Sequence, residues 1–156
     1  MNYWKNKQKA VFLDRDGTIN RYVGFLRDID DFELLPGAAE AIKKINALGY
    51  LAVVVTNQPV IARGEVTVDQ LQQIHNKMET LLGQQGAYLD GLYYCPHHPE
   101  AVIDELRVNC GCRKPNPGLI LKAVADFASA GIEINLKESF TVGNKRSDVL
   151  AGKNAG

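Results

Sequence analysis

The hydrophobic positions of this chain alternate between short apolar runs and longer segments in which apolar residues recur every three to four positions. The short runs predict strands at Lys9–Leu13, Leu51–Val55, Leu89–Tyr94 and Ser139–Val142. The longer segments predict helices at Pro36–Leu48, Thr67–Leu82 and Pro117–Ala130, with a further helical start at Ser147. Strands separated by helices predict an α/β fold with a mainly parallel sheet.

Local signals place the ends of two of these helices. Thr67, followed three residues later by Gln70, predicts a capping box at a helix start. Pro117 opens another helix, and Gly131 follows its end. On the first of these helices, His75 is predicted to be a surface residue. Residues 20–35 form a long irregular insert, and its composition fits either a hairpin or a lid.

Length and charge narrow the class of protein. A chain of 156 residues predicts a single domain over residues 1–156. Its 18 basic and 18 acidic residues balance, so net charge gives no reason to expect nucleic acid or a membrane as partner. No apolar stretch is long enough to span a bilayer, and the polar start Met1–Lys9 lacks a secretory apolar core. An odd number of cysteines, three, suits a reducing cytoplasm.

Two carboxylates follow the first predicted strand, in the segment Asp14-Arg-Asp-Gly-Thr18. In extended chain, residues two apart point the same way, so Asp14 and Asp16 can reach one site. One can attack phosphorus while the other moves a proton. Gly17 allows a sharp turn and a close approach to a ligand. The alternative is a surface turn, but the preceding strand and the following Gly-Thr favour catalysis.

A second polar segment, Thr56-Asn57-Gln58, comes directly after the next predicted strand. Small polar side chains and free amides at a strand's carboxyl end can hold a phosphate oxygen. Arg63 follows, and arginine matches phosphate in bidentate geometry. A turn residue and a solvated surface charge are the alternative interpretation of Asn57 and Arg63. Next to the Asp14 segment, substrate binding is favoured.

Charged residues also lie in two later segments. Lys114, in Arg113-Lys-Pro115, can neutralise charge on a transferring phosphoryl group, although an ordinary basic loop is the alternative. Asp148 lies in the loop after the last predicted strand. It could complete an oxygen site for Mg²⁺ with Asp14 and Asp16, or it could serve as a helix N-terminal charge.

All three cysteines fall in residues 95–112, here called the zinc loop. Cys95, His97, Cys110 and Cys112 form a Cys₃His set, which predicts a closed, structural Zn²⁺ site. His98 could replace His97 as the fourth ligand. Free cysteines, or a disulfide between Cys110 and Cys112, are the alternatives.

Together these segments resemble the haloacid dehalogenase superfamily of phosphatases. Within it, the chain is similar to the small zinc-containing group to which heptose bisphosphate and histidinol-phosphate phosphatases belong. The resemblance is carried by Phe12–Asn20, Val54–Gln58, Ile61–Gly64, Tyr94–Pro99 and Cys110–Pro115. It implies a Rossmann-like three-layer fold without a large cap domain, so that the zinc loop shapes substrate access.

The resemblance also implies roles for individual residues. Asp14 would form an aspartyl-phosphate, and Asp16 would act first as general acid and then as base. Lys114 would stabilise the transferring phosphate. Substrate would be bound by Thr56, Asn57, Gln58, Arg63 and Arg113. Mg²⁺ would be held by Asp14, Asp16 and position 144, with Asp16 contributing its backbone carbonyl.

Two features depart from the family pattern. Position 144 is Asn144, where the family has an aspartate, and a neutral amide should bind Mg²⁺ more weakly. Family members usually continue into a further strand and helix beyond residue 156, so the resemblance predicts a truncated or minimal form whose last strand lacks a neighbour.

The function implied by the resemblance is Mg²⁺-dependent hydrolysis of a sugar phosphate. A monomer is expected, and the cysteine content already favours the cytoplasm. The preferred substrate is the C7 phosphate of a heptose 1,7-bisphosphate, used in surface-polysaccharide precursor synthesis. The alternatives are histidinol phosphate as substrate, or a weakly active or non-catalytic sugar-phosphate binder because of Asn144.

Overall fold

A four-stranded parallel sheet forms the centre of the structure, a computed structural model that describes residues 7–156. Most of the polar start that was predicted at Met1–Lys9 therefore lies outside the described residues. The strands of the central sheet are β2 (Ala10–Leu13), β3 (Leu51–Asn57), β4 (Gly91–Cys95) and β6 (Phe140–Val142). Their spatial order is β4-β3-β2-β6, and every neighbouring pair is parallel. The predicted parallel sheet is confirmed.

Two helices cover each face of this sheet. Within residues 7–156 the α-helices are α1 (Ala38–Ala47), α2 (Val68–Gln84), α3 (Gly118–Ser129) and α4 (Arg146–Ala155). Alternate strand residues point to opposite faces, so Val11 and Val54 pack with α1 and α2, whereas Phe12 and Val53 pack with α3 and α4. The result is the three-layer sandwich that was expected.

The predicted first strand, Lys9–Leu13, is present as β2, Ala10–Leu13, and a further strand precedes it. Lys7–Gln8 forms a separate strand, β1, which pairs in parallel with a short β5 (Glu133–Ile134). The chain then passes through Lys9 into β2. This two-stranded sheet was not predicted, because two-residue strands carry no periodic signal.

The insert after β2 returns on itself. Asn20 and Leu34 form an isolated antiparallel bridge, and buried Leu26 and Phe32 anchor the segment in the core. Tyr22 and other large side chains remain exposed near the bend. The insert therefore combines a hairpin-like base with an exposed wall beside the ends of the strands. Among the described residues, no helix is both long and apolar enough to cross a membrane.

Candidate active site at the carboxyl ends of the strands

The polar segments predicted from sequence meet at one edge of the sheet. Asp14 directly follows β2, and its backbone N–H donates to the Val142 carbonyl of β6 at 2.9 Å. Asn57 is the last residue of β3. In the sheet, β3 lies on one side of β2 and β6 lies on the other, so the strand order reverses at β2. A crevice commonly opens at the carboxyl ends of the strands where such a reversal occurs.

The nucleophile candidate, Asp14, belongs to a buried charge cluster. Lys114 Nζ donates to Asp14 Oδ1 at 3.0 Å, to the Val55 carbonyl at 2.8 Å, and to Asp148 Oδ1. The side chains of Lys114 and Asp148 are only 4% and 2% exposed. Burial raises the pKa of Asp14; Lys114 opposes this rise and Asp148 adds to it.

The balance of this cluster suits a divalent cation. Two carboxylates, those of Asp14 and Asp148, are paired with a single ammonium, that of Lys114, so within this hydrogen-bonded cluster one negative charge has no cation bonded to it. A hard cation with oxygen ligands would offset it. The neutral Asn144 lies beside Gly17, where a Cβ would come within 2.3 Å of Asn144 Nδ2. The donors present therefore fit Mg²⁺, with an amide in place of a third acid.

Asp148 serves two neighbours at once. Besides its contact with Lys114, its Oδ2 accepts from the Lys145 backbone N–H at 3.1 Å and so caps α4. Gly143 makes this possible, because a Cβ there would lie 2.2 Å from the Asp148 carboxylate. The helix N-terminal role weighed for Asp148 is confirmed, and the contact with Lys114 accompanies it.

Asp16 is held by a dense set of hydrogen bonds. Arg15 donates to it from Nε at 3.1 Å and from Nη2 at 2.9 and 3.0 Å. Asn20 and Gln58 donate to opposite carboxylate oxygens at 3.0 and 2.9 Å. Both carboxylate oxygens of Asp16 thus already accept hydrogen bonds from protein donors, which agrees with the ligation through its backbone carbonyl that the resemblance implies.

The prediction that His75 is a surface residue is wrong. His75 is 1% exposed, and its Nε2 lies 3.0 Å from Arg15 Nη1. It belongs to the apolar face of α2, together with Ile74 and Met78, so the helix turns the ring into the protein. Burial and the neighbouring Arg15 lower the pKa of His75 to about 3, against the opposing effect of Asp16.

The segment at the end of β3 both holds Lys114 in place and lines the open crevice. The Asn57 side chain accepts from the Lys114 backbone N–H at 2.9 Å and donates to the Lys114 carbonyl at 3.2 Å. Thr56 Oγ1 accepts from Gln58 Nε2 at 3.0 Å. Asn57 therefore fixes Lys114 in place, while Asn57 and Gln58 also line the open crevice described next.

Two adjoining clefts open at this edge. The smaller, about 50 Å³, is lined by the Asp14–Lys114–Asp148 cluster and by Ser147. The larger, about 280 Å³, is lined by the exposed bend of the insert, by the loop after β3 and by part of the zinc loop. Three residues line both clefts: Asp16, Asn57 and Lys145. Asp16 thus lies at the junction of the two clefts. A ligand that extends from one cleft into the other would pass beside it.

Both predicted substrate arginines line the larger cleft. Arg63 stacks on Phe25, with 4.8 Å between its guanidinium carbon and the ring centroid, and its Nε donates to Glu65 at 3.0 Å. Arg27 of the insert pairs with the same Glu65, and these hydrogen bonds lower the pKa of Glu65. Arg113 Nε is buried and has no acceptor among the described residues. An anion is the natural partner for such a pair.

The predicted zinc ligands come together. The ligand atoms of Cys95, His97, Cys110 and Cys112 all lie within 4.8 Å of one another. Sulfur–sulfur distances of 2.9 to 3.4 Å exclude a disulfide of about 2.05 Å. They approach the roughly 3.8 Å expected around a tetrahedral ion with Zn–S of about 2.3 Å. The Cys₃His set therefore fits zinc.

The two neighbouring histidines divide their roles. His97 contacts the cysteine cluster, with Nδ1 3.3 Å from Cys112 Sγ. His98 instead lines the larger cleft, and its Nδ1 accepts from the Glu100 backbone N–H at 3.0 Å. The alternative in which His98 replaces His97 is therefore not supported. The thiols also act on one another: burial works against ionisation, yet hydrogen bonds from Cys112 and Cys95 lower the pKa of Cys110 to about 7.

Several residues of the site were not singled out by sequence reasoning. Arg15 stood unassigned between the two aspartates, although a charged residue inside a buried motif is itself a signal of pairing. Tyr22 and Phe25 of the insert were not assigned, and neither was Lys145, whose ammonium lies 5.7 Å from the Tyr22 ring centroid. These contacts depend on how the insert folds back, which no local pattern encodes.

Comparison with known proteins places this geometry in a family. A family model described as polynucleotide kinase 3 phosphatase matches residues 9–154. The D-glycero-beta-D-manno-heptose-1,7-bisphosphate 7-phosphatase of Pasteurella multocida is 46% identical over 148 residues, covering 95% of this chain and 77% of the relative. The protein of the same name from Escherichia coli K12 is 43% identical over 142 residues, covering 91% and 72%.

Solved structures agree with these relatives. A HAD-like phosphatase of Mesorhizobium loti superposes with a TM-score of 0.89 at 36% identity, covering 96% of this chain and 69% of its own. The D,D-heptose 1,7-bisphosphate phosphatase of B. bronchiseptica, complexed with magnesium and phosphate, superposes with a TM-score of 0.78 at 33% identity, covering 96% and 77%.

Proposed function

The chain belongs to the haloacid dehalogenase-like phosphatases, and on that premise we propose that it hydrolyses the C7 phosphate of a heptose 1,7-bisphosphate. The observation that carries the proposal is the pair of adjoining clefts. One contains a buried carboxylate held by a lysine, the other contains two arginines, and Asp16 lies between them. A substrate with a phosphate at each end fits this division.

The first chemical step would use Asp14 as nucleophile. Its free carboxylate oxygen attacks phosphorus, and the bond from phosphorus to the sugar oxygen breaks. Asp16 gives a proton to that leaving oxygen, and to carry this proton it first exchanges the hydrogen bond from Asn20 or Gln58 for it. Lys114 lies 3.0 Å from Asp14 Oδ1, close enough to orient the carboxylate and to stabilise charge that develops on the phosphoryl oxygens.

The second step would release phosphate from Asp14. Asp16, now a carboxylate, takes a proton from water, and the resulting hydroxide attacks phosphorus. The bond between phosphorus and the Asp14 oxygen then breaks, which restores the enzyme. The position of Asp16 at the boundary of both clefts lets one side chain serve the leaving oxygen first and water afterwards.

We propose that Mg²⁺ is held by Asp14, the backbone carbonyl of Asp16 and Asn144. When bound, Mg²⁺ would supply positive charge against the transferring phosphoryl group. The uncompensated charge of the Asp14–Lys114–Asp148 cluster supports a cation here. Because Asn144 is neutral, the affinity for Mg²⁺ should be lower than with an aspartate at this position.

The part of the substrate that is not hydrolysed would lie in the larger cleft. Arg63 and Arg113 would bind its second phosphate, and the unpartnered Nε of Arg113 supports an anionic ligand. Thr56, Asn57 and Gln58 would contact the transferring phosphate from the end of β3. A zinc ion at Cys95, His97, Cys110 and Cys112 would keep the zinc loop in the shape that presents His98 and Arg113.

The test is phosphate release from a defined panel, with and without Mg²⁺. The panel contains a heptose 1,7-bisphosphate, a monophosphorylated sugar, histidinol phosphate and an oligonucleotide with a 3′-phosphate. The proposal predicts the highest kcat/KM for the bisphosphate and a requirement for Mg²⁺. A higher value for histidinol phosphate or for the oligonucleotide would contradict the substrate, and no turnover of any ester would contradict the activity.

A further inference from the structure

A buried polar chain leads from helix α2 to the junction of the two clefts. It begins at His75, passes through Arg15 and ends at Asp16. Arg15 and His75 are 0% and 1% exposed, whereas the Asp16 side chain is 19% exposed and lines both clefts. None of the steps written above uses Arg15 or His75.

The protonation of this chain follows from its donors. Arg15 carries hydrogen on every guanidinium nitrogen and has no acceptor. Because its Nη1 lies 3.0 Å from His75 Nε2, this ring nitrogen must accept. His75 is therefore neutral with its proton on Nδ1, in agreement with the low pKa that burial and Arg15 impose on His75. Nδ1 itself has no partner among the described residues.

This arrangement is costly for stability, because a guanidinium and an unpaired ring N–H are both removed from water. Apolar side chains at these two positions would avoid both costs. What the present residues supply instead is orientation. Arg15 Nε and Nη2 grip the Asp16 carboxylate, Nη2 also donates to Gln58 Oε1 at 3.0 Å, and Nη1 is fixed by His75.

We propose that Arg15 and His75 are positioning residues: His75 fixes the plane of the Arg15 guanidinium, and Arg15 holds the Asp16 side chain at the junction of the two clefts, where the leaving oxygen would lie. The proposal rests on the proposed function, since it assigns Asp16 the proton transfer to the leaving group. Small displacements of such a group are expensive in rate, because proton transfer requires hydrogen-bond reach in the reacting complex.

The test compares two substrates that differ in leaving group. The leaving group of a sugar phosphate is an alkoxide, which leaves poorly unless it receives a proton. The leaving group of p-nitrophenyl phosphate is p-nitrophenolate, which leaves without being protonated. The measured quantity is kcat/KM, because it covers the steps up to loss of the leaving group. His75→Phe removes the acceptor for Arg15, whereas His75→Gln can restore one through its amide oxygen.

We expect His75→Phe to lower kcat/KM for the sugar phosphate about tenfold more than for p-nitrophenyl phosphate. This is a part of the roughly 10²–10⁴-fold rate increase that general acid catalysis supplies. His75→Gln should recover most of this difference. Met78→Leu is the matched control: Met78 lies on the same helix and is equally buried. It should change both substrates by the same factor.

Equal losses on both substrates in a folded His75→Phe protein would overturn the proposal, as would failure of His75→Gln to recover. A readout independent of turnover is ¹⁵N NMR of the parent ring. We expect the ring proton on Nδ1 at neutral pH. A proton on Nε2 would mean that His75 cannot accept the hydrogen bond from Arg15, and this result would overturn the proposal. If the parent hydrolyses neither ester, the proposed function fails, while the NMR result still decides the Arg15–His75 contact.

Discussion

The two ends of the candidate active site are supported in different ways. Asp14 and Asn57 stand at the ends of central strands whose residues pack into hydrophobic clusters on both faces of the sheet. The zinc loop, residues 95–112, has one three-residue helical turn, Asp104–Leu106, and leaves Val102 and Val108 exposed. One end is held by the fold, and the other depends on a cluster of cysteine and histidine side chains.

On the proposed function, this difference separates the residues that would break the phosphate ester from those that would select the substrate. The groups assigned to bond breaking lie on the rigid end, where burial keeps them oriented. The zinc loop supplies His98 and the adjacent Arg113 to the larger cleft. Lys114 connects the two ends. It follows the zinc loop in sequence, yet its backbone N–H donates to Asn57 and its ammonium donates to Asp14. Substitutions on each end should therefore change different kinetic constants.

The largest effect is expected from Asp14→Asn. The substitution keeps the shape of the side chain but removes the nucleophile, so phosphate release should fall by about a thousandfold or more. Thermal melting and zinc content should stay close to those of the parent, because Lys114 keeps its contact with Asp148. Turnover near the parent level would remove Asp14 from the mechanism.

Lys114→Met should affect both stability and rate. It leaves Asp14 and Asp148 buried without their shared cation, which should destabilise the protein by about 3–5 kcal/mol. Activity should fall about a hundredfold or more. Urea unfolding gives the first quantity and phosphate release the second.

The double variant Lys114→Met with Asp148→Asn is the matched control for this substitution. It removes one of the two unpaired charges, so much of the stability should return while activity stays low. Recovery of activity in the double variant would contradict the role given to Lys114.

Cys112→Ser tests the zinc loop without a chelator that would also remove Mg²⁺. Zinc content should drop, and the loss of order at Arg113 and His98 should raise KM about tenfold, or about 1.4 kcal/mol, with a smaller change in kcat. Val108→Ala changes an exposed residue of the same loop and should leave KM unchanged. A parent protein purified without chelator that contains no zinc would contradict the site.

The smallest effect is expected from Asn144→Asp, which adds a charge beside Gly17, next to the Asp14–Asp16 segment. The Mg²⁺ concentration that gives half-maximal activity should fall about three- to tenfold, because hard cations prefer charged oxygen ligands. Asp148→Asn separates the alternative in which Asp148 is the metal ligand. If Asn144→Asp has no effect and Asp148→Asn abolishes the Mg²⁺ dependence, Asn144 is not a ligand.

Local sequence patterns were enough for the α/β class and for the parallel sheet. Continuous apolar runs such as Leu51–Val55 belong to strands that are buried on both faces, and the capping box at Thr67 marks the start of α2. The clustering of the three cysteines with His97 was also predictable, because residue types that ligate zinc recur there at the spacing of a Cys₃His site. In each case a short segment carries its own physical signal.

The tertiary structure decided which side chains meet. Sequence alone placed His75 on the surface, although α2 turns it inward onto Arg15, and it left the choice between His97 and His98 open. It could not pair Asp148 with Lys114, which lies 34 positions earlier in the chain. Such contacts depend on the order of the strands and on the packing of helices over them. Neither is recorded in the periodicity of any one segment, because long-range packing selects among partners that local propensity leaves equivalent.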